Sequence, residues 1–347
     1  MNTPSSPIRV LIVEDSPTES AIIKRTINAA PDIQVIGEAR DGLEGMTLLS
    51  KLQPDVICTD YYMPNMDGLD FVVHAMASHP CPILVLSIGV QNYQTENVFK
   101  MLSAGAIDVM PKPLDGLNGK DPLQAQALHE KIRQLARIGH ANRQGKPAQK
   151  PSTLALRPGW KPSLFVIGGS TGAPQALEQI LSHLPQDFSS PIVCVQHMSP
   201  GFIQGMAEWL NGRTKLRIEV SSDGKAILPG HVVLSQDSCH LEINSNKTCH
   251  THVLNAGENF PSIDRLFRSA AATYGQECVG ILLSGMGMDG VAGLRAIEYA
   301  GGITVAQDPL SAVIDSMPRK AIETGAVQHI LPPKEIAALM SKLAHNA

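Results

Sequence analysis

Three residues able to build a hydrolytic site stand in turns directly after apolar runs: Ser170 in Leu164-Phe-Val-Ile-Gly-Gly-Ser-Thr-Gly-Ala-Pro174, His197 in Gln196-His-Met198, and Asp289 in Ser284-Gly-Met-Gly-Met-Asp-Gly290. A serine, a histidine and an aspartate leaving the ends of separate strands is the way an α/β fold gathers a nucleophile, its base and the carboxylate that orients the base. Ser170 lies where a strand-like run gives way to a helical pattern over residues 175–184. Such a turn pushes the hydroxyl beyond the sheet edge and leaves the first amides of the helix free to receive an oxyanion. Other readings stay open on these residues alone. Gly168, Gly169 and Gly172 also suit a tight turn or a phosphate cradle with Ser170 as a helix cap, His197 a core position, and Asp289 the cap of a helix over residues 291–299. Residues 285–290 are also a GxGxxG between a strand and a helix, and Asp308 ends the next strand about 20 residues on, as in a dinucleotide-binding fold. Against that reading, Asp289 would place a carboxylate among amides needed for a pyrophosphate.

A second constellation lies in the first third of the chain. Glu14 and Asp15, Asp60, Ser87 and Lys112 each follow a short apolar run. Three carboxylates converging on one sheet edge repel one another unless a hard divalent cation sits among them, and magnesium favours oxygen ligands with some water retained. A lysine and a hydroxyl alongside provide what a phosphoryl group needs on its remaining oxygens.

Both groups depend on strand ends, and the apolar pattern provides them. Residues 8–13, 33–38, 56–59, 83–87 and 107–110 read as strands separated by amphipathic helical stretches, the signature of a five-stranded parallel sheet wound on both faces. A closing helix is expected over 121–139. Residues 141–160, with Pro, Gly, Lys and Gln and no apolar period, read as a linker. From residue 161 the alternation resumes, with strands at 164–167, 192–195, 232–234, 279–283 and 303–306. The expectation is two doubly wound α/β domains, residues 1–140 and 161–347, the second larger and mainly parallel.

A chain of 347 residues is long for one core, which agrees with two domains. With 43% hydrophobic and 17% charged residues and a net charge of −4, it has no electrostatic reason to bind nucleic acid. The polar start, Met1-Asn-Thr-Pro-Ser-Ser-Pro7, lacks a signal peptide and no membrane span follows, so a cytoplasmic chain without membrane insertion is expected. Six scattered cysteines read as reduced thiols. Cys239-His240 and Cys249-His250-Thr251-His252 invite a metal, but the Asn- and Ser-rich interval between them reads as a hairpin turn rather than as ligand spacing.

Residues 8–112 resemble a response-regulator receiver domain, which is flavodoxin-like. The resemblance implies that Asp60 is the phosphoacceptor, that Glu14, Asp15 and the backbone carbonyl of Tyr62 join it in holding Mg²⁺, and that Ser87 and Lys112 are the switch hydroxyl and lysine. Val109 departs from the aromatic common at its place, and Tyr61-Tyr62 from the usual residues after the phosphoacceptor. Over nearly the whole chain the sequence resembles the protein-glutamate methylesterases of bacterial chemotaxis. The stretches that carry this are Ile167-Gly-Gly-Ser-Thr-Gly172, Val195-Gln-His-Met-Ser-Pro-Gly-Phe202, Leu228-Pro-Gly-His231, Pro261-Ser-Ile-Asp-Arg-Leu-Phe267, residues 284–290 and Ser316-Met-Pro-Arg319. That resemblance implies a phosphorylation-regulated serine hydrolase with Ser170 as nucleophile, His197 as base, Asp289 orienting it, the Met286 amide in the oxyanion hole and Thr171 beside the nucleophile. It further implies chemoreceptor glutamate methyl esters as substrate, glutamine deamidation as a second activity, a histidine kinase as phosphodonor and no cofactor for hydrolysis.

Overall fold

The structure is a computed structural model that describes residues 6–88, 95–113, 122–141, 160–255, 258 and 260–345. The chain divides into two compact units, Met1–Gly145 and Lys146–Ala347. Residues 142–159, most of the expected linker, lie outside the described residues.

The first unit is a sheet of β1 (Ile8–Val13), β2 (Ile33–Ala39), β3 (Val56–Thr59), β4 (Ile83–Ser87) and β5 (Asp108–Pro111), connected through α1 (Pro17–Asn28), α2 (Gly42–Leu52), α3 (Gly68–Ser78) and α4 (Thr95–Ala104) and followed by α5 (Pro122–Ala141). The strands pair in parallel in the order β2-β1-β3-β4-β5. This is the flavodoxin-like winding, whose direction switches between β1 and β3 and opens a crevice at their carboxyl ends. Polar caps start the helices where the sequence provides them. Ser16 Oγ accepts from the Glu19 amide at 3.4 Å and Pro17 fills the first turn of α1, which brings Glu19 over the end of β1.

The second unit is a sheet of seven strands in the order β14-β13-β12-β6-β7-β9-β8, every neighbouring pair parallel. Its strands are β6 (Leu164–Gly169), β7 (Ile192–Gln196), β8 (Arg217–Val220), β9 (His231–Leu234), β12 (Cys278–Leu282), β13 (Ile303–Gln307) and β14 (His329–Leu331). An antiparallel hairpin, β10 (Cys239–Ile243) and β11 (Cys249–Val253), stands apart. The helices are α6 (Ala173–Ser182), α7 (Ile203–Asn211), α8 (Ile263–Tyr274), α9 (Val291–Tyr299), α10 (Ser316–Glu323) and α11 (Pro333–Ala344). All six residues of β6 are buried, as a central strand covered on both faces requires. The hairpin forms where the Asn-rich interval suggests one, with Asn244 Oδ1 accepting the Thr248 amide at 3.0 Å across the turn.

Two strands of the large sheet escape a reading by apolar runs. Arg217–Val220 is an edge strand that alternates charge with aliphatic residues, and His329–Leu331 is three residues long. They are the two edge strands of the sheet, whereas the turns that carry the candidate chemistry follow its central strands β6, β7 and β12.

One backbone position there admits only glycine. Gly172 caps α6 with φ of 78°, and a Cβ would fall 2.4 Å from Val313 Cβ and 2.8 Å from Ser284 Oγ. Gly172→Ala is expected to destabilise the protein by roughly 1–3 kcal/mol, from the strained conformation and the clash together. An unchanged urea midpoint for Gly172→Ala would show that the turn is not held as described.

Candidate functional site

The three turns of the second unit are brought together by register. β6 lies between β7 and β12, with Gly169 opposite Gln196 and Gly168 opposite Leu282. The Ser170 amide donates to the Ser284 carbonyl and the His197 amide to the Gly169 carbonyl, each at 2.9 Å. Gln196, which is buried, donates through Nε2 to the carbonyls of both Ser170 and His197 at 2.9 Å. The sequence reading did not single out Gln196, although its place at the strand end beside His197 was visible.

His197 Nε2 donates to Asp289 Oδ2 at 3.0 Å. A carboxylate only accepts, so the neutral ring carries its proton on Nε2 and leaves Nδ1 free to take one. Asp289 has further donors that the sequence reading missed. The Ile263 amide reaches Oδ2 at 2.7 Å, and the Asp264 amide, the Gly290 amide and Ser262 Oγ reach Oδ1 at 2.9, 3.0 and 3.1 Å. The carboxylate thus sits on the N-terminus of α8, where the helix dipole favours negative charge. Burial alone would raise its pKa, but the His197 contact and the α8 amides outweigh it and lower the pKa. Phe260 stacks on the His197 ring with centroids 5.4 Å apart and planes 18° apart.

Beside Ser170, a Cβ on Gly285 would approach Ser170 Cβ to 2.7 Å, so the backbone entering Met286 runs against the serine. The Met286 side chain is exposed, and its amide has no hydrogen-bond partner among the described residues. Thr171 is buried, and its carbonyl accepts Ser284 Oγ at 2.8 Å. The three glycine amides of the GxGxxG stretch are already engaged, Gly285 with the Ile314 carbonyl, Gly287 with Ser316 Oγ and Gly290 with Asp289. They are therefore not available to a dinucleotide pyrophosphate.

In the first unit, Asp15, Asp60, Tyr62, Ser87 and Lys112 line a cleft of about 320 Å³. The buried Lys112 ammonium lies 2.7 Å from Asp60 Oδ2, 2.7 Å from Glu14 Oε2 and 2.6 Å from Glu19 Oε2. Glu19 is an addition to the set read from the sequence; its place in the first turn of α1 was the available signal. Burial raises the Asp60 pKa and pushes that of Glu14 up to about 7, in both cases against the pull of Lys112. Glu14, Asp15 and Asp60 each offer an oxygen within 4.8 Å of the others. The two oxygens of Glu14 are divided between the Lys112 ammonium at Oε2 and the Ser16 amide, which donates to Oε1 at 3.2 Å. Carboxylate oxygens gathered this closely at one sheet edge form the all-oxygen donor set that a hard cation such as Mg²⁺ favours.

Each histidine of the hairpin meets a carboxylate: His240 Nε2 lies 2.9 Å from Glu258 Oε2, His250 Nδ1 2.9 Å from Asp223 Oδ1, and His252 Nε2 3.5 Å from Glu242 Oε1.

A flavodoxin-like receiver followed by a larger parallel α/β unit, with Ser170, His197 and Asp289 at neighbouring turns, defines a response-regulator enzyme of two domains. Comparison with known proteins agrees. The response regulator receiver profile matches residues 10–120 and the CheB methylesterase profile residues 165–340. The chain is 35% identical over 344 residues to protein-glutamate methylesterase/protein-glutamine glutaminase 4 of Geobacter metallireducens, covering 97% of this chain and 99% of that one. With the Salmonella typhimurium protein-glutamate methylesterase/protein-glutamine glutaminase, identity is 36% over 341 residues and coverage 96% of each chain. The crystal structure of the Thermotoga maritima CheB methylesterase catalytic domain aligns with a TM-score of 0.50 at 32% identity, covering 52% of this chain and 98% of that one. The chain belongs to the CheB methylesterase family, enzymes of the protein-glutamate methylesterase/protein-glutamine glutaminase kind.

Proposed function

We propose that this chain removes methyl esters from glutamates of chemoreceptors, and deamidates receptor glutamines, under the control of phosphorylation at Asp60. The observation that carries the hydrolytic part is the His197 Nε2 to Asp289 Oδ2 hydrogen bond of 3.0 Å, at a turn in register with that of Ser170. In this reading Ser170 Oγ attacks the ester carbonyl while His197 Nδ1 takes its proton. The Met286 amide receives the oxyanion, and Thr171, held through its carbonyl, keeps the turn in place. His197 then returns the proton to the departing methoxide, methanol leaves, and water hydrolyses the acyl-Ser170 in a second round. A glutamine side chain follows the same route with ammonia as the leaving group.

Residues 1–140 act as the receiver and 161–347 as the hydrolase, with 141–160 between them. A histidine kinase provides the phosphoryl group to Asp60 in the cytoplasm. Glu14, Asp15, Asp60 and the Tyr62 carbonyl would hold a magnesium ion, which when bound would offset their charge and let a dianionic group approach. Lys112 and Ser87 take the remaining phosphoryl oxygens, and Lys112 must then loosen its hold on Glu19 and Glu14. No helix among the described residues is long and apolar enough to cross a membrane.

The control is inhibitory in this account: the unphosphorylated receiver restrains the hydrolase. Each ~1.4 kcal/mol by which phosphorylation weakens that restraint raises the active fraction about tenfold. Methanol release from methylated receptors is to be measured for the full chain, for the full chain with magnesium and a small phosphodonor, and for residues 161–347. The fragment is expected to outpace the unphosphorylated full chain; a fragment that is equal or slower contradicts restraint and favours activation by the receiver.

A further inference from the structure

A chain of hydrogen bonds leads from Asp289 to a residue pair the hydrolytic chemistry does not itself require. Ser262 donates its hydroxyl to Asp289 Oδ1, and its amide donates to His240 Nδ1 at 3.1 Å. On the other side of that ring, His240 Nε2 donates to Glu258 Oε2 at 2.9 Å. The same carboxylate oxygen accepts from the Asn255 amide at 2.7 Å and from Asn255 Nδ2 at 2.9 Å. His240 is only 1% exposed, so these partners define its chemistry.

The partners leave one protonation form. Nδ1 must accept from an amide while Nε2 donates to a carboxylate, which selects the neutral ring with its proton on Nε2. The placement matters as much as the tautomer. Glu258 stands two residues before Phe260, whose ring stacks on His197, and Ser262 immediately precedes α8, whose first amides hold Asp289. His240 therefore fastens both sides of the short stretch that touches the histidine and its carboxylate. His240 is buried but Glu258 is exposed, and a pair with one solvent-screened member adds little to stability.

We propose that His240, held by Glu258, is a positioning residue for hydrolysis: it fixes the start of α8 and the Phe260 ring so that Asp289 and His197 keep their mutual orientation. It touches no reacting atom. The inference rests on the reading of Ser170, His197 and Asp289 as the hydrolytic site.

The test uses full-length protein and compares His240→Ala, His240→Asn and Glu258→Ala with wild type at a temperature below every melting transition. In His240→Asn the amide oxygen takes over the place of Nδ1 as acceptor for Ser262. The readouts are kcat and KM for methanol release, the labelling rate of Ser170 by a fluorophosphonate probe, and the low-field proton resonance of the His197 Nε2–H hydrogen bond. His240→Ala is expected to lower kcat and the labelling rate by about 10 to 100-fold, the scale of a small misplacement, with KM within about twofold. The resonance should shift or vanish with it. His240→Asn is expected to recover most of the loss, and Glu258→Ala to lose rate in the same direction as His240→Ala. Should His240→Ala fold too poorly to assay, Glu258→Ala and His240→Asn carry the same comparison. Wild-type kcat and resonance in His240→Ala or Glu258→Ala, or a His240→Asn variant that regains melting temperature without regaining rate, would overturn the proposal. Undiminished hydrolysis by Ser170→Ala would instead overturn the site reading, and is recognised because it occurs with His240 intact.

Discussion

Ser170→Ala is expected to abolish methanol release from methylated receptors, with a loss on the scale of about 10⁶-fold in kcat seen when a serine hydrolase loses its nucleophile. His197→Ala should lose a comparable amount, because the nucleophile and the base act as one unit and removing either disables the acyl step. The Asp289→Ala loss should be smaller in rate, roughly 10⁴-fold, since the carboxylate only orients and stabilises the imidazole. The structure adds a second consequence for Asp289. Its oxygens accept the Ile263, Asp264 and Gly290 amides and the Ser262 hydroxyl, so truncation strands part-buried donors at the start of α8. A stability cost of about 1–3 kcal/mol is expected beside the rate loss, a drop in melting temperature of roughly 2–4 °C per kcal/mol for a domain of this size. Ser170→Ala removes only a hydroxyl and should melt close to wild type. Urea or thermal melts of the three variants next to their turnover separate the two effects.

The second large effect belongs to the receiver. Asp60→Asn is expected to eliminate labelling by a small phosphodonor, and chelation of magnesium should do the same to wild type. The physical reason is the cleft itself. Asp60 and Glu14 share one buried ammonium with Glu19, and burial holds both carboxyls above their ordinary range. A dianionic group cannot enter such a site until a cation offsets the clustered charge. Phosphorylation of Asp60→Asn at the wild-type level would move the acceptor elsewhere. Lys112→Ala, which leaves Glu14, Glu19 and Asp60 without their common counter-charge, is expected to weaken phosphoryl retention and to destabilise the first unit, read as a shorter half-life of the labelled protein and a lower melting temperature.

Much of this was legible in the sequence because the site residues sit at strand ends and the strands are continuous apolar runs. Ile8–Val13, Val56–Thr59 and Ile83–Ser87 are seen at the expected residues, and the three turns of the second unit follow β6, β7 and β12. What periodicity could not show is which strands become neighbours. The positions of Glu14 and Asp60 side by side, and of Ser170 beside His197, come from the order of strands in each sheet. Support from helix starts was also hidden. Ser262 caps α8 by a familiar sequence pattern, but nothing local says that the same helix end holds a carboxylate 27 residues further along the chain. Glu19 likewise reads as an ordinary first-turn acid until α1 is packed against β1, when it becomes the third carboxylate on Lys112. His240 drew notice for a metal because of its neighbours in sequence, whereas its partners in space are Glu258 and the Ser262 amide.

The central claim, that Ser170 is the nucleophile oriented through His197 and Asp289, is tested most directly by stoichiometric labelling. Full-length protein is treated with a fluorophosphonate probe, the adduct is located by peptide mass spectrometry, and methanol release is measured on the same sample. The account predicts one adduct, on Ser170, with turnover falling in proportion to occupancy and labelling much slower in His197→Ala. An adduct on another residue, or turnover that persists when Ser170 is fully modified, would contradict it.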